Sequence, residues 1–185
     1  MDLMRRIAVL GGQCYEEYQK NFIEGFMEEA FKREFEICIF SMYRKYLDTQ
    51  IREVAESHIY ELFEPEDYDA VVVLRDSIQV PGLGDALEER IHKNFSGPVL
   101  VVDIKSKYFP SILTDGFEPC YRLVSYLIEH HGYTDIAYLT GKRWHEHSIM
   151  RLEAYKKAMA DHGLEVSEDR IMYGDFWLRW VHRKA

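Results

Sequence analysis

The sequence predicts an α/β fold built on a doubly wound parallel sheet, and three observations point there. Continuous Val, Ile and Leu runs recur along the chain: IAVL at Ile7 to Leu10, VVVL at Val71 to Leu74 and PVLVV at Pro98 to Val102. Segments with apolar residues at helical spacing separate them, and polar residues or glycines follow their carboxyl ends. Unalternated apolar runs suit strands covered on both faces, and intervening helices supply the crossovers that parallel strands require.

The elements follow in order. After the strand at Ile7 to Leu10, Tyr15, Tyr18, Phe22, Phe26 and Ala30 recur at helical spacing, and Glu36 to Phe40 reads as the second strand. A helix carrying Ile51, Val54, Ala55, Ile59 and Leu62 leads to the third strand at Val71 to Leu74. Leu87 and Ile91 mark the next helix, before the fourth strand at Pro98 to Val102. SILTDG at Ser111 to Gly116 gives one short strand, and Cys120, Leu123, Val124, Leu127 and Ile128 give a helix ending near His131 and Gly132. A new β-α-β unit then begins: Ile136 to Leu139, a helix from about Ile149 to His162 stopped by Gly163, and Arg170 to Tyr173. Two domains are expected, residues 1–132 as a complete first lobe and 133–185 as the start of a second, because one β-α-β unit cannot build a sheet covered on both sides.

Composition narrows the function classes. With 185 residues, 47% hydrophobic and 30% charged, the chain can bury a sizeable core. A formal charge of -9 argues against a broad phosphate-binding surface, so no direct nucleic-acid binding is expected. Cys14, Cys38 and Cys120 lie far apart without CxxC spacing and read as reduced packing residues. The amino terminus has too few consecutive apolar residues for a signal peptide, and no run approaches a membrane span, so a cytoplasmic protein with no membrane partner is expected.

Ligands of open α/β sheets bind beyond the carboxyl ends of the strands. Those ends carry Gly11, Gly12, Gln13 and Tyr15 after the first strand, Ser41 after the second, Arg75 and Asp76 after the third and Asp103 after the fourth. Asp115 and a loop from Lys142 to His147 follow the later strands. Each also has a purely structural reading: Arg75 and Asp76 as partners for each other, Asp103 as a turn cap, Arg151 as half of an ion pair. Arg151 is placed in the first turn of its helix, where a cation faces the positive end of the dipole. Other chemistries lack their patterns. LGGQCYEEY has Gln13 where a dinucleotide loop needs glycine, and no GxxxxGK[ST], HExxH or GxSxG is present. No metal site, cofactor or catalytic residue is therefore expected. Ser148 reads as an N-cap, and His130 and His131 as a favourable helix C-terminus.

The order of motifs from Ser111 onwards, SILTDG, then YLIEHHGYTDIAYLTG, then RLEAYKKAMADHGL and EDRIMYGDF, resembles the periplasmic-binding-protein-like sensor domains of LacI and GalR type regulators. The resemblance covers Arg6 to Asp175, by pattern in the amino-terminal half. It implies a small polar ligand, such as a sugar, held between two lobes. It carries ligand contact onto Gln13, Tyr15, Arg75, Asp76, Asp115 and Arg151. It also implies a homodimer. Such regulators begin with a helix-turn-helix segment, absent before the first strand here, and their second lobe continues further, so a truncated sensor is expected. An effector beyond residue 185 is then implied, a GGDEF-type diguanylate cyclase or an AraC-like DNA-binding domain.

Two other readings stay open. A small α/β enzyme would use Asp115, His145 or His147 as acid or base, motivated by ionisable groups crowded in one loop. A dimerising interaction module would use apolar surface, including Trp177 and Trp180.

Overall fold

The computed structural model describes residues 5–43 and 50–174. The described chain divides into two compact units, Met1–Leu113 and Thr114–Ala185. The sequence reading set that division at residue 132. The difference is the helix 117–131, whose apolar face packs within the later unit.

In the first unit, strands β1 (Arg5–Gly12), β2 (Phe35–Met42), β3 (Ala70–Leu74), β4 (Val99–Val102) and β5 (Ser111–Ile112) form one sheet in the order β2-β1-β3-β4-β5. Every pairing is parallel. Helices α1 (Glu17–Lys32), α2 (Gln50–Ser57) and α3 (Leu83–Asn94) connect the first four strands, with short 3-10 turns at 58–62, 65–67 and 75–77. The expected doubly wound α/β sheet is what forms.

The side-chain alternation of β1 shows why both faces are covered. Ile7 and Val9, with Val72, Leu74 and Val102, pack against Ile23, Phe22 and Phe26 of α1. Ala8 and Leu10, with Val71, Val73 and Val101, pack against Leu87 and Ile91 of α3 and against Tyr60 and Phe63. Successive β residues point to opposite faces, so a strand sandwiched by helices needs apolar residues at every position.

The strand order reverses direction between β1 and β3, which opens a crevice at their carboxyl ends. Those two ends are drawn together there. The Gly12 N–H donates to Ser77 Oγ at 2.8 Å, and that hydroxyl donates to the Leu74 carbonyl at 2.5 Å. A Cβ on Gly12 would lie 2.6 Å from the Ser77 carbonyl oxygen, so only glycine admits this approach. The Tyr60 hydroxyl, whose pKa burial pushes up, donates to the Gly11 carbonyl at 2.7 Å.

The second unit holds α4 (Phe117–His131), β6 (Tyr138–Thr140), α5 (Glu146–Asp161) and β7 (Ile171–Tyr173). β6 and β7 pair in parallel around α5, and Val124 of α4 packs with Leu152, Tyr155, Met159 and Ile171. Gly132 and Gly163, at φ 68° and 71°, end the two helices in the left-handed region, as the sequence indicates. Helix α5 begins at Glu146, three residues before the expected start. Ser148 is therefore not its cap. It lies within the first turn, 3% exposed, and its carbonyl accepts a hydrogen bond from Thr140 Oγ1. No helix among the described residues is long and apolar enough to cross a membrane. Trp177 and Trp180 lie outside the described residues.

Two glycine substitutions test the junction. Gly12→Ala is expected to lower stability in urea unfolding by about 1–3 kcal/mol, the usual cost of overpacking. Gly25→Ala, mid-helix in α1 with open space around a Cβ, is expected to raise it by about 0.5–1 kcal/mol.

Candidate functional site

The polar rim of the first unit is built on two residues forced into left-handed backbone. Gln13 follows β1 at φ 54° and is 5% exposed, and Asp103 follows β4 at φ 69° and is 8% exposed. Neither is glycine, so each carries backbone strain that the surroundings must enforce. Gln13 is held by its N–H to the Met42 carbonyl at 2.8 Å and by its own carbonyl, which accepts from Glu16 N–H at 2.9 Å. The Asp103 N–H donates to the Ile112 carbonyl at 2.8 Å, and its carboxylate accepts from the Tyr18 hydroxyl at 2.7 Å.

Asp76, Asp103, Ser77 and Tyr18 line a small cavity of ≈ 10 Å³, about the room one water needs. Sequence reasoning placed Asp103 on the rim without selecting it, and read Tyr18 as a core position from helical spacing. Tyr18 is instead 57% exposed, because it stands in the first turn of α1, level with the strand ends. Tyr15, selected from the sequence, precedes α1 and stacks on Tyr43 with centroids 5.2 Å apart and planes 10° apart. Both rings are exposed, an aromatic face beside the carboxyl ends of β1 and β2. The Cys14 thiol is pushed up by burial, which keeps it protonated and poorly nucleophilic.

Arg75 turns away from this rim. Its Nε donates to Glu88 Oε1 and its Nη2 to Asp85 Oδ1, both at 3.0 Å. The guanidinium lies against Gly84 so closely that a Cβ there would sit 2.2 Å from Cζ. Glu88 is 4% exposed, and its other oxygen accepts from Ser106 Oγ, which in turn accepts the N–H groups of Tyr108 and Phe109. Arg75 thus pairs with α3 rather than with Asp76, and Glu88 ties the segment after β3 to the segment after β4.

In the second unit, Asp115 Oδ1 accepts the N–H groups of Phe117 at 2.8 Å and Glu118 at 3.4 Å, capping α4. Arg151 stands in the second turn of α5, because that helix starts at Glu146. The dipole effect fades beyond the first turn, so the expected electrostatic conflict is not present. Its exposed side chain runs past Gly116, where a Cβ would lie 3.3 Å from Nε.

The acid-base reading meets a geometric obstacle. His145 and His147 are 5% and 7% exposed with ring centroids 6.0 Å apart, and Asp115 is committed to its cap. Among the described residues, no three His, Cys, Asp or Glu side chains are placed to hold a metal ion.

The Arg75 assignment is open to a direct test. Arg75→Met leaves the buried Glu88 carboxylate without its cation and is expected to cost about 3–5 kcal/mol in chemical denaturation. A surface ligand contact would leave stability unchanged, within about 0.5 kcal/mol.

No family model matches the chain. The helix-turn-helix transcriptional repressor PurR of Vibrio campbellii is 26% identical over 177 residues, covering 93% of this chain and 48% of the repressor. The chain therefore spans about half the length of the curated relative it matches. Among solved structures, the Escherichia coli repressor AscG is 20% identical with a TM-score of 0.64, covering 93% of this chain and 59% of that one. The LacI-family regulator CcpA of Weissella paramesenteroides, crystallised with sucrose, is 22% identical with a TM-score of 0.64 over 92% of this chain and 59% of that one. CcpA of Lactococcus lactis is 18% identical with a TM-score of 0.67, covering 94% and 60%. The chain has the α/β fold of the ligand-binding domains of LacI-family regulators.

Proposed function

We propose that this chain is a small-molecule-sensing regulatory domain of a bacterial transcription regulator. The observation that carries the reading is the strained rim of the first unit, where Gln13 and Asp103 are held at positive φ beside Tyr18 and Asp76. Strain of this kind persists where surrounding structure over-determines it, often at ligand sites. Carboxylates and a phenol suit a ligand rich in hydroxyl or N–H donors. The resemblance adds Arg151, an exposed guanidinium on the second unit, as a further ligand contact to be tested.

Transcription as the output is favoured because the curated relative is a repressor and the similar structures are transcription regulators. The diguanylate cyclase alternative has no support from these comparisons. In the proposed mechanism a ligand that binds one conformation better shifts a two-state equilibrium, which an effector reads. A homodimer is part of the proposal. Phe31, Val54 and Leu62 on the first unit are each more than half exposed, and sedimentation would show the mass of two chains.

The test is calorimetric titration with a panel of free sugars, nucleobases and amino-acid derivatives. A binder is expected whose affinity falls about tenfold or more in Arg151→Ala, corresponding to ~1.4 kcal/mol. A panel without any binder, or a binder indifferent to that substitution, overturns the reading.

A further inference from the structure

Helices α4 and α5 of the second unit are tied by polar contacts as well as by their shared core. The Cys120 thiol donates to the Arg151 carbonyl at 3.4 Å, the Tyr121 hydroxyl donates to Asp161 Oδ2 at 2.9 Å, and His162 Nε2 lies 3.0 Å from Glu129 Oε1. The third contact differs in kind. His162 closes α5, and its other ring nitrogen, Nδ1, lies 2.7 Å from the Ala158 carbonyl oxygen. Only 20% of the side chain is exposed, so the ring is fixed between two oxygens with little room for water to replace either.

Both oxygens can only accept. A backbone carbonyl has no proton to give, and glutamate carboxyls ionise at about pH 4.3, well below the range in which imidazole titrates. Neutral imidazole carries one N–H donor and one lone pair, so in either tautomer one of the two contacts sets a lone pair against an oxygen. Only the imidazolium makes both. The surrounding charges act in the same direction. Glu129 reaches the ring from α4 and Asp161 from α5 itself, and the carboxyl end of α5 presents the negative pole of its dipole. The Ala158 carbonyl first and Glu129 second hold the ring's pKa above its ordinary value, against a smaller opposing effect of burial. Asp161 does not share the titration. Lys157 and Tyr121 hold its carboxyl below the usual range, so the Tyr121–Asp161 bond persists where His162 titrates.

We propose that His162 is a pH-sensitive clamp between α4 and α5, closed on Glu129 as the imidazolium and released there when the ring loses its proton. The clamp does not depend on the ligand-sensing reading. Because the ring's pKa is raised in the folded protein, the link is fully present below about pH 6.5, the ordinary imidazole value, and is lost as pH rises through the higher folded value. Release frees the last turn of α4. The Tyr121–Asp161 bond and the packing of Val124 with Leu152, Tyr155 and Met159 stay in place, so the two helices loosen at one end without coming apart.

The test is a nitrogen NMR titration of the histidine rings in the full chain, paired with amide hydrogen exchange over the same pH range. Both His162 nitrogens are expected to give the protonated signal below about pH 6.5, with a midpoint above that value. Glu129→Gln, at an exposed position, is expected to move the midpoint downward, because an amide can donate to a neutral ring as readily as it accepts from a charged one. Protection at residues 127–132 and 158–164, corrected for the intrinsic pH dependence of exchange, is expected to fall as pH rises through the midpoint. His162→Gln is expected to abolish that fall. A His162 midpoint at or below about 6.5, or one that Glu129→Gln leaves in place, overturns the clamp. So does protection that holds constant through the midpoint, or a fall that persists in His162→Gln.

Discussion

The approach of the β1 and β3 carboxyl ends at Gly12 and Ser77 is the constraint on which the first unit's rim depends. One hydroxyl satisfies the Gly12 N–H and reaches back to the Leu74 carbonyl, so the ends of two adjacent strands become a single hydrogen-bonded body. The missing Cβ allows the backbones to meet, and Gln13 must then turn into left-handed backbone to leave the strand. What faces outward there follows from that turn rather than from local propensity.

A second fixed point lies one strand further on. The buried Glu88 carboxylate takes Arg75 on one oxygen and Ser106 on the other. His92, one helical turn beyond Glu88, stacks on Tyr108 at 4.5 Å. Helix α3 therefore holds the segment that follows Asp103, in a form that an isolated surface loop would not keep. Removing either partner of such a buried pair costs more than the pair contributes relative to an apolar replacement, so it serves shape before stability. The rim is consequently preorganised by side chains that a ligand need not touch.

The parallel sheet was legible because continuous apolar runs have one simple structural solution, and every such run forms a strand. The helix-ending glycines were equally legible, since Gly132 and Gly163 answer a local steric demand. Arg75 was not, because an arginine after a strand looks the same whether it turns to solvent or to a helix ten residues further along. The positive φ of Gln13 and Asp103 left no trace either, as neither residue type announces strain. The start of α5 was misplaced because KRWHEH reads as an exposed polar loop, whereas His145, His147 and Ser148 are all buried. That shift moved Arg151 out of the first turn and dissolved the dipole argument that had singled it out. The residue keeps its interest from the resemblance alone, which carries a ligand contact onto it.

The central claim is that ligand is held at the carboxyl ends of the strands. Amide hydrogen exchange, measured with and without a binding metabolite, tests it most directly. The account predicts added protection at residues 12–18, 75–78 and 103–106, with the amino ends of β1, β3 and β4 unchanged. Protection confined to the amino ends, or to the exposed helix faces, would contradict it.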